Sequence, residues 1–215
     1  MNQFGLVTEG ESDQVVVERI LMGYFNDQDL MVTANHPLRD ETDKGKATGG
    51  WGNLLEYLKS DAFKQTFQTT KYVVVQIDTD KSEEYGVAKP FNGTELNVDL
   101  LVHETQAKLM ESIGEFFELV KHRVIFAISV HEIECWLLPI YYSDAKRSKT
   151  TGCINTLNQV LQKKEGFSIH AKEYRYYERM SKHFLKRKDL DRYSSHNPSL
   201  KIFVDNLRYC QIKEI

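Results

Sequence analysis

Apolar residues along the chain follow two alternating periods. Phe4 to Thr8 is a short apolar run bounded by glycine and predicts a buried strand. From Gln14 to Tyr24, Val15, Val16, Ile20 and Leu21 recur at helical spacing, with Ser12 placed to cap the helix N-terminus. Leu30 to Ala34 predicts a second strand. The polar stretch Asn35 to Asn53, glycine-rich from Gly45 to Gly52, predicts a mobile loop at the functional edge, with Asn53 capping a helix through Leu54, Leu55, Tyr57 and Leu58. Lys71 to Ile77 is dense in β-branched residues and predicts the clearest strand, ending at Asp78. An excursion from Lys81 to Asn97 is broken by Gly86, Pro90 and Gly93. Val98 to Val120 then carries Leu101, Val102, Leu109, Ile113, Phe116, Phe117 and Val120 on one helical stripe. Arg123 to Val130 predicts another strand. Beyond Pro139 the pattern is helical and polar, with breaks at Gly152 and Asn197–Pro198. Strands alternating with helices predict an α/β fold, a mostly parallel sheet in right-handed βαβ units flanked by helices, with a mainly helical C-terminal section.

Composition narrows this picture. With 215 residues, 41% hydrophobic and 27% charged, the chain can bury one sizeable core, or one domain with a small appendage. The formal net charge of -3 conceals an asymmetry: Tyr141 to Leu190 holds 12 Lys+Arg against 5 Asp+Glu, a surplus of +7 that leaves -10 for the rest. A basic section beside an acidic body suits a polyanionic partner; a solvated helical face is the alternative. Cys135, Cys153 and Cys210 are widely spaced and form no CxxC pair, which argues against a zinc knuckle and fits a reducing compartment. The first ten residues carry no secretory pattern, and the longest apolar run, Val124 to Val130, is too short for a bilayer. A soluble, cytoplasmic protein without a membrane partner is expected.

Three acidic clusters follow predicted strands: Glu9 in TEGESD, Asp78 and Asp80 in QIDTD, and Glu132 and Glu134 in SVHEIECW. A parallel sheet gathers its strand C-termini on one edge, where ligands bind. Acids converging there repel one another unless a cation holds them, and carboxylates suit hard divalent ions. Gly10 allows a tight turn into a helix whose positive N-terminus favours anions, and Asp13 lies one turn beyond Glu9. Residues i and i+2 of an extended segment project to one side, so Asp78 and Asp80 pair; Glu132 and Glu134 pair only if HEIE is extended, and diverge if it is helical. His131 and His36 are candidates to orient water or phosphate, although histidines in such places are commonly structural.

In these residues the chain resembles the TOPRIM fold family of topoisomerases, bacterial primases, ribosomal-RNA maturases and OLD-family nucleases. Glu9-Gly10 and Asp78-Thr79-Asp80 match the family's Glu and DxD elements in order, and HEIECWL is similar to a segment of small stand-alone TOPRIM proteins of bacterial defence loci. The resemblance covers about residues 1–140 as a catalytic domain, leaving 141–215 as a helical, basic extension packed on it. It implies Mg²⁺ or Mn²⁺ at a two-metal site, held by Glu9, Asp78 and Asp80, with Glu132, Glu134 and Asp13 completing a second position. It also implies a lysine near the scissile phosphate; Lys172 is the choice, although spacing does not separate it from Lys163, Lys164 or Lys182. The implied activity is phosphodiester hydrolysis, with Glu9, Asp78, Asp80, Glu132 and Lys172 catalytic, in an anti-phage or anti-plasmid effector that works beside an ABC-type ATPase.

The basic segment AKEYRYYERMSKHFLKRK offers Lys172, Arg175, Arg179, Lys182, Lys186 and Arg187 to phosphates, and Tyr174, Tyr176 and Tyr177 to bases, with DNA ahead of RNA. An amphipathic helix with core-facing tyrosines is the alternative. Two other functions stay open: a DxD-dependent nucleotidyl- or glycosyl-transferring enzyme, which would not need Glu9, and a non-catalytic partner of an ATPase.

Overall fold

The computed structural model describes residues 2–39 and 49–210. The chain alternates strand and helix as β1 (Asn2–Val7), α1 (Glu11–Phe25), β2 (Val32–His36), α2 (Trp51–Lys59), α3 (Asp61–Thr69) and β3 (Thr70–Asp78). A small antiparallel hairpin, β4 (Phe91–Asn92) and β5 (Glu95–Leu96), precedes α4 (Val98–Ile113), α5 (Phe116–Val120) and β6 (Val124–Ser129). Five helices follow: α6 (Glu134–Tyr141), α7 (Cys153–Lys164), α8 (Tyr174–Ser181), α9 (Arg187–Ser194) and α10 (Pro198–Asn206). The main sheet has four parallel strands in the order β2-β1-β3-β6. This is the predicted α/β fold, with the helical C-terminal section.

The pleat of β3 sorts its side chains between two cores. Val73, Val75 and Ile77 pack with Leu54, Phe63, Leu101 and Leu109 from α2, α3 and α4. Tyr72 and Val74 point the other way, into a cluster with α1 and helices α6 to α10 that buries Trp136, Tyr177, Phe184 and Phe203. Trp136 stacks on Phe203 with ring centroids 5.6 Å apart. Rings of this size remove roughly 150–250 Å² each from water, so the C-terminal helices are held by the same hydrophobic core as β1, β3 and α1. Gly23 in α1 permits that approach, because a Cβ there would strike the Phe184 carbonyl.

Several local expectations change. Ser12 is buried in the first turn of α1; Gly10, in extended conformation, is the N-cap, with no side-chain capping bond. Asn53 lies inside α2 and donates to the Gly49 carbonyl, while Gly50 caps the helix at a φ of 107° that favours glycine. The stripe expected as one helix from Val98 to Val120 splits because Gly114 takes a positive φ of 70° and ends α4. At Asn197–Pro198 the chain starts α10: Asn197 accepts from the Leu200 amide, and Pro198 occupies the first turn, where a missing N–H costs little. Pro139 sits inside α6 and cannot donate to the Cys135 carbonyl, which accepts from Asn197 Nδ2 instead. Cys135 and Cys153, whose wide spacing fits a reducing compartment, are instead joined in a disulfide that links α6 to α7. Of the loop expected from Asn35 to Asn53, residues 40–48 lie outside the described residues, while Asn35 and His36 belong to β2 and Trp51 to Asn53 to α2. No helix among the described residues is long and apolar enough to cross a membrane.

Candidate metal centre

The chain leaves β1 through α1 towards β2, while β3 pairs with the other side of β1. Connections therefore diverge between β1 and β3, and a crevice opens at the C-terminal ends of these strands. Continuing the pleat, Gln76 and Asp78 follow Tyr72 and Val74 onto the α1 face. Gln76 is buried and joins three strand ends: its Nε2 donates to Asp78 Oδ1 at 3.0 Å and to Ser129 Oγ at 3.3 Å, and its Oε1 accepts from the Glu9 amide at 3.2 Å. Sequence reasoning missed Gln76; the sign was a polar residue interrupting the apolar run of β3.

Glu9 is fixed from two sides. Its Oε2 accepts from the Asp78 amide at 3.2 Å, its carbonyl accepts from the Gly50 amide at 2.8 Å, and the nearby Trp51 amide at the N-terminus of α2 favours its ionised form. Asp13, in the first turn of α1, is buried beside it, and Glu134, the first residue of α6, is fully buried. The Tyr177 hydroxyl of α8 donates to Glu134 Oε1. Lys172, just before α8, brings its Nζ to 3.4 Å from Asp78 Oδ2 and 3.6 Å from Glu134 Oε2. Although 45% of the Lys172 side chain is exposed, its ammonium lies among these acids.

Burial and crowding set the protonation. Burial is the largest influence on Asp13 and pushes its carboxyl up to about 7, against Lys172 and with the repulsion of Glu134 and Glu9. Burial likewise holds Asp78 well above the usual carboxylate range, and raises Glu9, to which the charge of Asp80 adds. For Lys172, burial disfavours the ammonium, but Asp78, Asp13 and Glu134 together outweigh it and hold the proton more tightly than usual. The Tyr177 phenol is raised by burial and then by the Glu134 charge, so it stays a donor.

The other predicted ligands lie at the margin of this group. The Asp80 amide donates to the His131 carbonyl, and the Asp80 carbonyl accepts from Lys89. HEIE is not extended: β6 ends at Ser129, His131 turns the chain with φ 66°, and α6 begins at Glu134. Glu132 and Glu134 therefore diverge, the outcome expected where HEIE is not extended, and the reading of both as ligands of one site is corrected to Glu134 alone. Glu132 turns to α7, where its Oε1 accepts from the Ile154 amide at 2.9 Å. His36 stacks on Tyr57, and burial lowers its pKa.

In the basic section, Arg175 pairs with Glu173 at 2.8 Å and Arg179 with Glu165 at 2.7 Å, while Lys182 and Lys186 are exposed. Arg187 pairs with Asp191. Tyr177 is buried on Glu134, Tyr176 stacks on Phe167, and Tyr174 is half-buried beneath Arg39, so Tyr177 has no face left for a base.

The donors are carboxylates, the type a hard divalent cation takes, although no three of them bring ligand oxygens within 4.8 Å of one another among the described residues, and Lys172 stands between Asp78 and Glu134. Glu9, Asp13, Asp78 and Glu134 share one ammonium, and two fully enclosed oxygens, Asp13 Oδ1 and Glu134 Oε2, accept no hydrogen bond among the described residues. Leaving such groups unsatisfied costs about 1–3 kcal/mol each, which an oxygen-seeking cation offsets. The chain matches no protein-family model, no curated protein and no solved structure.

Proposed function

We infer that this protein is a metal-dependent nuclease that hydrolyses phosphodiester bonds, with DNA the favoured substrate. The observation that carries this reading is the gathering of carboxylates that follow β1 or belong to α1, β3 and α6 at the switch point, with two buried oxygens lacking hydrogen bonds among the described residues. Glu9, Asp13, Asp78 and Glu134 would hold Mg²⁺ or Mn²⁺, with Asp80 at the rim. When bound, such ions activate water and stabilise the leaving oxygen of an in-line displacement. Lys172 keeps its charge in the cluster and is half-exposed, so its ammonium can meet a non-bridging phosphate oxygen. Tyr177 fixes the rotamer of Glu134 through its hydroxyl. Exposed Lys182 and Lys186 are available to the substrate backbone. The TOPRIM resemblance is consistent with the same positions of Glu9 and Asp78.

The fixed position of Glu9 on the Asp78 amide favours hydrolysis over the transfer reading, which leaves Glu9 idle. Cleavage of single- and double-stranded DNA and RNA, measured with Mg²⁺ or Mn²⁺, tests the assignment. Glu9→Gln, Asp78→Asn and Asp80→Ala should each lose at least about a hundred-fold in rate. Cleavage equal to wild type in all three variants removes the assignment, and nucleotide turnover that survives Glu9→Gln favours the transferase.

A further inference from the structure

We propose that His131, Glu132, Cys135 and Cys153 form a second metal site, which takes Zn²⁺ when the Cys135–Cys153 disulfide is reduced. His131 Nδ1, a Glu132 carboxylate oxygen and Cys135 Sγ all lie within 4.8 Å of one another. Cys153 Sγ, bonded to Cys135 Sγ, adds a fourth donor. A tetrahedral Zn²⁺ places its donors about 3.6 Å apart, so His131, Glu132 and Cys135 must close in slightly while the two sulfurs separate once their bond is cleaved.

Two features set His131 apart. Its Nδ1 is buried and makes no hydrogen bond among the described residues. Its backbone holds a positive φ of 66°, unusual for a residue with a Cβ, and is pinned by Thr79 and Asp80: its amide donates to Thr79 Oγ1 at 2.8 Å, and its carbonyl accepts from both of their amides. The imidazole is thereby kept facing Glu132, 3.9 Å away, and Cys135. Two thiolates with an imidazole select a softer metal than the all-carboxylate cluster does. That cluster is separate, because Glu134 faces Tyr177 and Lys172. Of the four donors, His131 borders a cleft of ≈ 490 Å³ shared with Thr79, Lys89 and Phe91, while Cys135 and Cys153 lie fully buried behind it.

The oxidised pair cannot ligate as thiolates, so the site is conditional. A dithiol reductant gives two electrons to the Cys135–Cys153 bond and becomes a disulfide itself. The two resulting thiols each release a proton as the metal–sulfur bonds form. The inference does not rest on nuclease activity.

The test titrates Zn²⁺ into the full chain, reduced and oxidised, in competition with a chromophoric chelator, with thiols counted in each state and Co²⁺ as a spectroscopic substitute. Reduced protein should bind one Zn²⁺ at least about a hundred-fold more tightly than oxidised protein, and its Co²⁺ form should show thiolate-to-metal charge transfer. His131→Ala, at a partly exposed position, should weaken binding by about ten- to a hundred-fold with the circular dichroism spectrum unchanged. Cys135→Ser/Cys153→Ser should abolish the charge-transfer band. Equal Zn²⁺ affinity in the reduced and oxidised states, or a reduced Co²⁺ form without the band, overturns the proposal.

Discussion

Asp78/Asp80 and Glu132/Glu134 have the same spacing in sequence and part company in the fold. In the first pair the strand runs through Asp78, so the pleat that buries Val74 and Gln76 also aims Asp78 into the crevice, and Asp80 falls at the rim. In the second pair the strand stops at Ser129, the chain turns at His131, and it is the later acid, Glu134, that enters the cluster at the start of a helix. Glu132 caps α7 instead. The spacing of two acids thus decides little; where the strand ends decides which one faces the site.

The contrast between enclosed and marginal acids can be broken experimentally. The largest effect concerns pH in the absence of divalent metal. The carboxyls of Asp13, Asp78 and Glu9 are raised above their unfolded values, so the folded state binds protons that the unfolded state releases. Their contribution to stability is full below the unfolded values near 4 and is lost as pH rises through the folded ones. For Asp13 the rise from 3.8 to about 7 corresponds to roughly 4 kcal/mol. Denaturant unfolding across this range should show stability falling with pH, a weaker fall in Asp13→Asn, and a reversed slope with Mn²⁺. An Asp13→Asn slope identical to wild type would dissolve the distinction between the two groups of acids.

Next, Glu134→Ala should cost about 3 kcal/mol in thermal unfolding, because it opens a cavity and leaves the buried Tyr177 hydroxyl without its acceptor. Lys172→Met should cost about 2 kcal/mol without metal, less than a fully enclosed ion pair because the side chain is half-exposed, and Mn²⁺ should recover it. A loss that Mn²⁺ leaves untouched would mean that Lys172 acts through packing rather than as the resident cation. Glu132→Ala should cost about 1 kcal/mol in the oxidised protein, the worth of a helix-terminal acceptor, with no dependence on Mn²⁺. Arg175→Ala, which removes an exposed pair, should stay within about 0.5 kcal/mol. A Glu132→Ala effect that tracks Mn²⁺ concentration would bring Glu132 back among the ligands.

The alternation of apolar residues was enough to read the strands, the parallel sheet and the acids at its C-terminal edge, because the period of 2 along β3 and the strand ends are local properties of the chain. Glu9 and Asp78 were legible for that reason: Asp78 ends β3, Glu9 lies two residues past β1, and adjacent strands bring them together. The partners of Asp78 and Glu134 were legible only in part. Lys172 could not be separated from its neighbouring lysines by spacing, and Tyr177 stood open between base stacking and a core-facing helix, because both reach the crevice only when α8 packs against α1 across the sheet face. The divergence of Glu132 from Glu134 rests on a backbone turn at His131 that no side-chain pattern announces. The Cys135–Cys153 pairing needs α6 and α7 side by side. Local periodicity determines which residues line an edge, whereas long-range packing determines which charges are left without water and which partners they find there.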